Sequence, residues 1–161
     1  PEEVKETLRK ALFGEVISYT IPSKSYDVKG KASGELVGGN ISILYSLLGS
    51  KSSIDTKGKI LFIEDLDEYL YHIDRMMYNL KRNGYFKNVK GIIVGSMADM
   101  HDNEIPFGQN EMQIITEIAK EYNIPIAFEF PAGHQKDNRT LILGKPVDFE
   151  VNDKEVKLQF H

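Results

Sequence analysis

Glu64 and His134 are the residues whose type and position could do chemistry together. Glu64 ends a short apolar run, Lys59 to Ile63, whose β-branched and aromatic residues predict a buried strand. His134 follows Pro131-Ala-Gly, just after a second apolar run, Ile124 to Phe130. In an α/β fold, working groups gather beyond the carboxyl ends of strands, so two such ends could share one rim. A histidine on a glycine loop is well placed as a general base. A carboxylate bonded to its imidazole N–H fixes the tautomer and stabilises the imidazolium. The pair would supply two parts of a Ser-His-Glu triad.

The third part has no clear source. A serine nucleophile wants a tight strand-to-helix turn of the G-x-S-x-G kind, and the chain has no such pattern. Ser96, in Val94-Gly-Ser-Met, comes nearest, but neither a helix nor a second glycine follows it directly. Ser33 and Ser42 fit less well. With no cysteine, thiol catalysis, disulfides and thiolate metal sites are excluded.

The other three histidines offer less. His72 falls on the charged side of a helix, His161 is terminal, and His101 lies in Met100-His-Asp-Asn-Glu. His101, Asp102 and Glu104 lack the helical spacing of an H-E-x-x-H zinc site, so neither a metal nor another cofactor is expected. Gly38-Gly39-Asn40 opens a helix and could hold an anion on backbone N–H groups. Without a Walker lysine or a G-x-G-x-x-G run, it reads as a helix cap. Asp65, Asp67 and Glu68 read as the N-cap and acidic first turn of the helix after Glu64. Asp74-Arg75 reads as a structural ion pair.

Alternating elements must position these residues. Val4, Leu8, Ala11 and Leu12 share one helical face. Strands are predicted at Val16 to Tyr19 and Gly34 to Val37, then a small helix at Ile41 to Leu48 capped by Asn40. After the strand that carries Glu64, apolar residues from Tyr69 to Leu80 stripe a helix, with Lys81, Arg82 and Gly84 at its end. A strand at Val89 to Val94, a loop to Gln109 and a helix from Met112 to Tyr122 lead to the strand before His134. The tail reads as short strands at Leu141 to Leu143, Val147 to Val151 and Val156 to Phe160, with a turn at Asn152-Asp153. Helices and strands alternate in the middle and β-structure lies at both ends, so the fold class is α/β with a mixed β-sheet and flanking helices.

Composition narrows the function. The chain has 161 residues, one domain's worth, and at 41% hydrophobic it can bury a core. Its 20 basic and 24 acidic residues are mixed, with no basic stripe, so nucleic acid is not an expected partner. No apolar run near 18 residues and no signal peptide occur, so no membrane association is expected and the cytoplasm is favoured. An amphipathic helix starts at once after Pro1, which also fits a piece of a longer protein.

A series of motifs in order carries a family resemblance. They are Gly34-Glu-Leu-Val-Gly-Gly-Asn-Ile-Ser-Ile-Leu, Gly58-Lys-Ile-Leu-Phe-Ile-Glu-Asp, Tyr71-His-Ile-Asp-Arg-Met-Met, Gly91-Ile-Ile-Val-Gly, Ile124-Pro-Ile, Pro131-Ala-Gly-His and Leu143-Gly. From about Gly34 to Val147 the chain resembles the C-terminal domain of the LD-carboxypeptidases. These are serine peptidases that trim the terminal D-alanine from murein tetrapeptides. The family also includes microcin C immunity-type hydrolases of acylated aminoacyl nucleotides.

The resemblance implies a swivelling β/β/α-like domain and a two-domain enzyme with a Ser-Glu-His triad split between the domains. Glu64 matches the triad glutamate and His134 the histidine, while the serine's motif has no counterpart. The chain would then be the C-terminal domain of an enzyme whose nucleophile-bearing N-terminal domain is absent here. It would be inactive alone, with its own N-terminal domain and a murein tetrapeptide or related small peptide as partners. Family members commonly dimerise, so a homodimer is a further implication. A non-catalytic ligand-binding domain using the same glycine-rich rims is the alternative from another class.

Overall fold

The computed structural model describes residues 1–161. Its elements in chain order are α1 (Glu2–Leu12), β1 (Ser18–Pro22), β2 (Gly30–Asn40), α2 (Ile41–Ser46), β3 (Ile60–Leu66), α3 (Leu70–Arg82), β4 (Gly91–Ala98), α4 (Glu111–Ala119), β5 (Ile126–Ala127), β6 (Pro146–Val151) and β7 (Glu155–Phe160). Seven strands form one mixed sheet in the order β1-β7-β6-β2-β3-β4-β5. The fold class is therefore the α/β mixed sheet with flanking helices that the sequence predicts.

β2 joins the two kinds of pairing. Its first half, Gly30 to Glu35, runs antiparallel to β6, and its second half, Leu36 to Asn40, runs parallel to β3. β3 and β4 lie at the centre of the parallel part and are buried on both faces. That is why they read as unbroken apolar runs. Alternate β3 side chains serve two cores. Leu61 and Ile63 face Ile73, Met76, Met77 and Leu80 of α3 and Ile115 and Ile118 of α4. Ile60 and Phe62 face Ile93, Phe130, Phe149 and Leu158 on the other side.

The register of β3 against β4 shifts between Ile63 and Asp65. Such a bulge re-aims the side chains at a strand end. It falls at Glu64, on the rim where the candidate residues sit.

Several elements differ from the sequence reading. β2 is much longer than Gly34 to Val37, because its glycines let strands approach where side chains would not fit: a Cβ on Gly34 would lie 2.7 Å from the Gly58 carbonyl oxygen. β1 begins at Ser18 rather than Val16, and Val16 is exposed. Of Ile124 to Phe130 only Ile126–Ala127 pairs as strand, and Glu129 turns the chain away with φ 52. Leu141 to Leu143 form no strand; Leu141 and Ile142 are apolar because they pack on the second core. On α1, Leu8 and Leu12 stay 50% and 76% exposed, so its apolar face is largely uncovered. No helix is long and apolar enough to cross a membrane.

Candidate active site

Glu64 enters the rim from the end of β3, buried to 5% exposure. His134 enters from the turn after Phe130. Gly133, with φ 102, allows that turn, and a Cβ there would press on the Glu64 side chain at 2.9–3.1 Å. Glycine is thus needed both for its backbone freedom and for the absence of bulk. The imidazole Nδ1 of His134 lies 2.6 Å from Glu64 Oε2, and the His134 backbone N–H donates to the same oxygen at 3.3 Å. Seventy residues apart in sequence, the two sequence candidates meet as an acid–imidazole pair. With Nδ1–H given to Glu64, the lone pair sits on Nε2. The imidazole is half exposed, so Nε2 can meet a reacting group from outside the sheet.

No serine of this chain completes the pair. Ser96 is close, but its Oγ donates to the backbone carbonyl of His134 at 3.0 Å, not to the imidazole. Ser33 bonds Asp148, and Ser42 bonds Asp65 and Glu68.

The acids after Glu64 do not cap the following helix as the sequence suggests. Tyr69 stands at the N-cap of α3 and makes no side-chain cap bond. Asp65 is turned instead toward α2. It is 2% exposed and accepts from Asn40 Nδ2 (2.8 Å), the Ser42 N–H (3.0 Å), Ser42 Oγ (2.9 Å) and the Leu66 N–H (2.9 Å). The start of α2, which could have held an outside anion, already holds this carboxylate. Asn40 also caps it through Oδ1 to the Ile43 N–H.

Asp65→Ala should therefore strand two backbone N–H groups and two side-chain donors. The expected loss is about 3 kcal/mol of stability in urea unfolding, with Asp65→Asn costing less; a loss below about 1 kcal/mol would contradict this role.

The remaining candidates disperse. Asp67 (φ 59) pairs with His101 Nε2 at 2.5 Å, and Glu68 pairs with His72 Nδ1 at 2.7 Å. Asp102 accepts from the Asn103 and Phe107 N–H groups, so it does not converge with His101 and Glu104 on a metal position. Arg75 lies over the Tyr71 ring at 5.4 Å and forms no ion pair with Asp74.

The sequence reading missed the residues that fix the histidine turn. Asn138 Oδ1 accepts from the Gly133 N–H at 2.9 Å. Gln135 Nε2 donates to the Phe130 and Ala132 carbonyls. Beside them, Glu129 accepts from Lys24 Nζ (2.7 Å) and Tyr26 Oη (2.6 Å). These bonds hold its carboxyl below the usual range, while burial and the Glu129 bond push the Tyr26 phenol up to about 12. The only advance signal was the polar run after His134, which reads as an ordinary loop.

Comparison with known proteins identifies the family of the chain. The family model of the LD-carboxypeptidase C-terminal domain matches residues 33–149. The "Probable murein peptide carboxypeptidase" of Bacillus subtilis (strain 168) is 39% identical over 131 residues, which are 79% of this chain and 40% of that protein. The Microcin C7 self-immunity protein MccF of Escherichia coli is 29% identical over 132 residues, 80% of this chain and 37% of that protein. The crystal structure of muramoyltetrapeptide carboxypeptidase from Oxalobacter formigenes shares the fold. Its TM-score is 0.89 at 24% identity, covering 99% of this chain and 55% of that one. The chain spans about two fifths of the length of the curated relatives it matches.

Proposed function

The chain belongs to the LD-carboxypeptidase family through its C-terminal domain, and on that premise we propose that it supplies the base and its carboxylate partner to a serine carboxypeptidase. The substrate would be a murein tetrapeptide, cut at the L,D-peptide bond to its terminal D-alanine. The observation that carries this is the 2.6 Å contact of His134 Nδ1 with buried Glu64, which leaves Nε2 as the basic nitrogen.

In the reaction, a serine Oγ outside this chain gives its proton to Nε2 as it attacks the carbonyl carbon. The imidazolium then returns that proton to the departing D-alanine nitrogen, leaving an acyl-enzyme. Water repeats the exchange, losing its proton to Nε2 and releasing the tripeptide and free serine. Glu64 keeps the tautomer and lowers the cost of the imidazolium at each proton transfer. Greater identity to the Bacillus protein than to the microcin immunity protein favours the murein substrate over an acylated aminoacyl nucleotide.

The serine would come from the family's N-terminal domain. The uncovered apolar residues Leu8, Leu12, Phe13 and Val16 suit such a docked neighbour, since contiguous apolar surface left in water is unfavourable. D-alanine release from murein tetrapeptide tests the whole reading. The full-length gene product should turn over, while the 161-residue chain should stay at background. Turnover by this chain near the full-length rate would overturn the split triad.

A further inference from the structure

A base acts only as well as it is aimed, and one side chain outside the acid–imidazole pair reaches the backbone of residue 134. The turn from Pro131 to Gln135 lies directly on the end of β4. Gly95 permits this, because a Cβ there would stand 2.5 Å from the Ala132 carbonyl oxygen. Ser96, the next residue, then grips the turn twice. Its N–H donates to the Ala132 carbonyl at 2.9 Å, and its Oγ donates to the His134 carbonyl at 3.0 Å. Asn138 and Gln135 hold Gly133, Phe130 and Ala132 through their side chains, but neither side chain hydrogen-bonds to His134.

His134 is thus held at both backbone ends: its N–H on Glu64 and its carbonyl on Ser96. The imidazole is half exposed and has little packing to fix it. Its direction must come from the backbone it hangs on and from the Nδ1 bond.

We propose that Ser96 is a positioning residue for His134: its hydroxyl, donated to the His134 carbonyl, holds the turn so that Nδ1 stays on Glu64 and Nε2 stays aimed outward. This rests on the reading of His134 as the base. It also gives the nearest serine of this chain a role other than nucleophile. Losing one such bond loosens the turn without removing any reacting group. The expected effect is on kcat, by about three- to ten-fold, with KM within about two-fold.

The test uses the full-length gene product with ¹⁵N-labelled histidine. Tetrapeptide kinetics and the solvent exchange of the Glu64-bound Nδ1 proton are measured for wild type, Ser96→Ala, Ser96→Cys, Ser96→Thr and Glu64→Gln. Ser96→Ala should lower kcat as above and speed Nδ1 proton exchange about ten-fold. Ser96→Thr, which keeps the hydroxyl, should restore both toward wild type. Ser96→Cys keeps the shape but donates weakly, so it carries the comparison if the alanine variant is unstable, and it should fall between.

Unchanged kcat and exchange in both Ser96→Ala and Ser96→Cys would overturn the proposal while leaving the acid–imidazole pair intact. Equal losses in Ser96→Thr and Ser96→Ala would overturn it too, since the hydroxyl would then not matter. An Nδ1 proton that Glu64→Gln leaves unchanged would instead sink the base assignment beneath it, whatever Ser96 does.

Discussion

His134→Ala and Glu64→Gln, each made in the full-length gene product, are expected to lower kcat for D-alanine release by about 1,000-fold or more, with KM little changed. For His134 the reason is direct: without Nε2 no group on this rim can take the nucleophile's proton. For Glu64 it is indirect but comparable in size. A glutamine of the same length still fills the buried space behind Gly133, so the turn should keep its shape. Its amide, however, can donate toward Nδ1 and so favour the tautomer with the proton on Nε2, where a base needs a lone pair. The change is isosteric, so a large loss in kcat with an unchanged melting temperature would speak for tautomer control rather than damage to the fold. Combining the two substitutions should cost hardly more than His134→Ala alone, because the residues act as a unit. If both single variants cleave at the wild-type rate, these are not the site residues, even though the family membership stands.

The parallel centre of the fold was legible because strands buried on both faces leave continuous apolar runs, as at Leu61 to Ile63 and Gly91 to Val94. Glu64 could be picked out because it closes such a run, and His134 because it follows a second apolar run, Ile124 to Phe130, of which only Ile126–Ala127 pairs as strand. Their contact could not, since it depends on the bulge at Glu64 and on the left-handed turn at Gly133. The acids after Glu64 misled for a related reason. A cap assignment weighs only neighbours along the chain, but Asp65 found its partners on α2, across the parallel pairing of β2 with β3. The length of β2 was hidden as well. Its glycines look like turns in sequence, and only the neighbouring strand reveals that they are close approaches.

That close approach sets the other large effect. Gly38→Ala is expected to destabilise the 161-residue chain by at least about 4 kcal/mol, a large share of the roughly 5–15 kcal/mol that holds an ordinary domain folded. Gly38 sits opposite Phe62 in the parallel pairing of β2 with β3, at φ 133. A Cβ there would lie 1.8 Å from the Phe62 carbonyl oxygen and under 3 Å from its carbonyl carbon and its nitrogen. All three are backbone atoms of a central strand, so no side-chain rotation relieves the clash and the strands must part. Gly39→Ala is the control. It shares the positive φ, at 148, but nothing lies within 4 Å of its added Cβ. Strain without collision should cost about 1–2 kcal/mol, and the difference between the variants isolates the close approach. The effect also reaches the site, because the same pairing seats Asn40 beside Glu64 and Asp65 under α2. Urea unfolding that puts Gly38→Ala within about 1 kcal/mol of Gly39→Ala would mean that β2 and β3 do not pair in this register, and the rim holding Glu64 would then have to be built some other way.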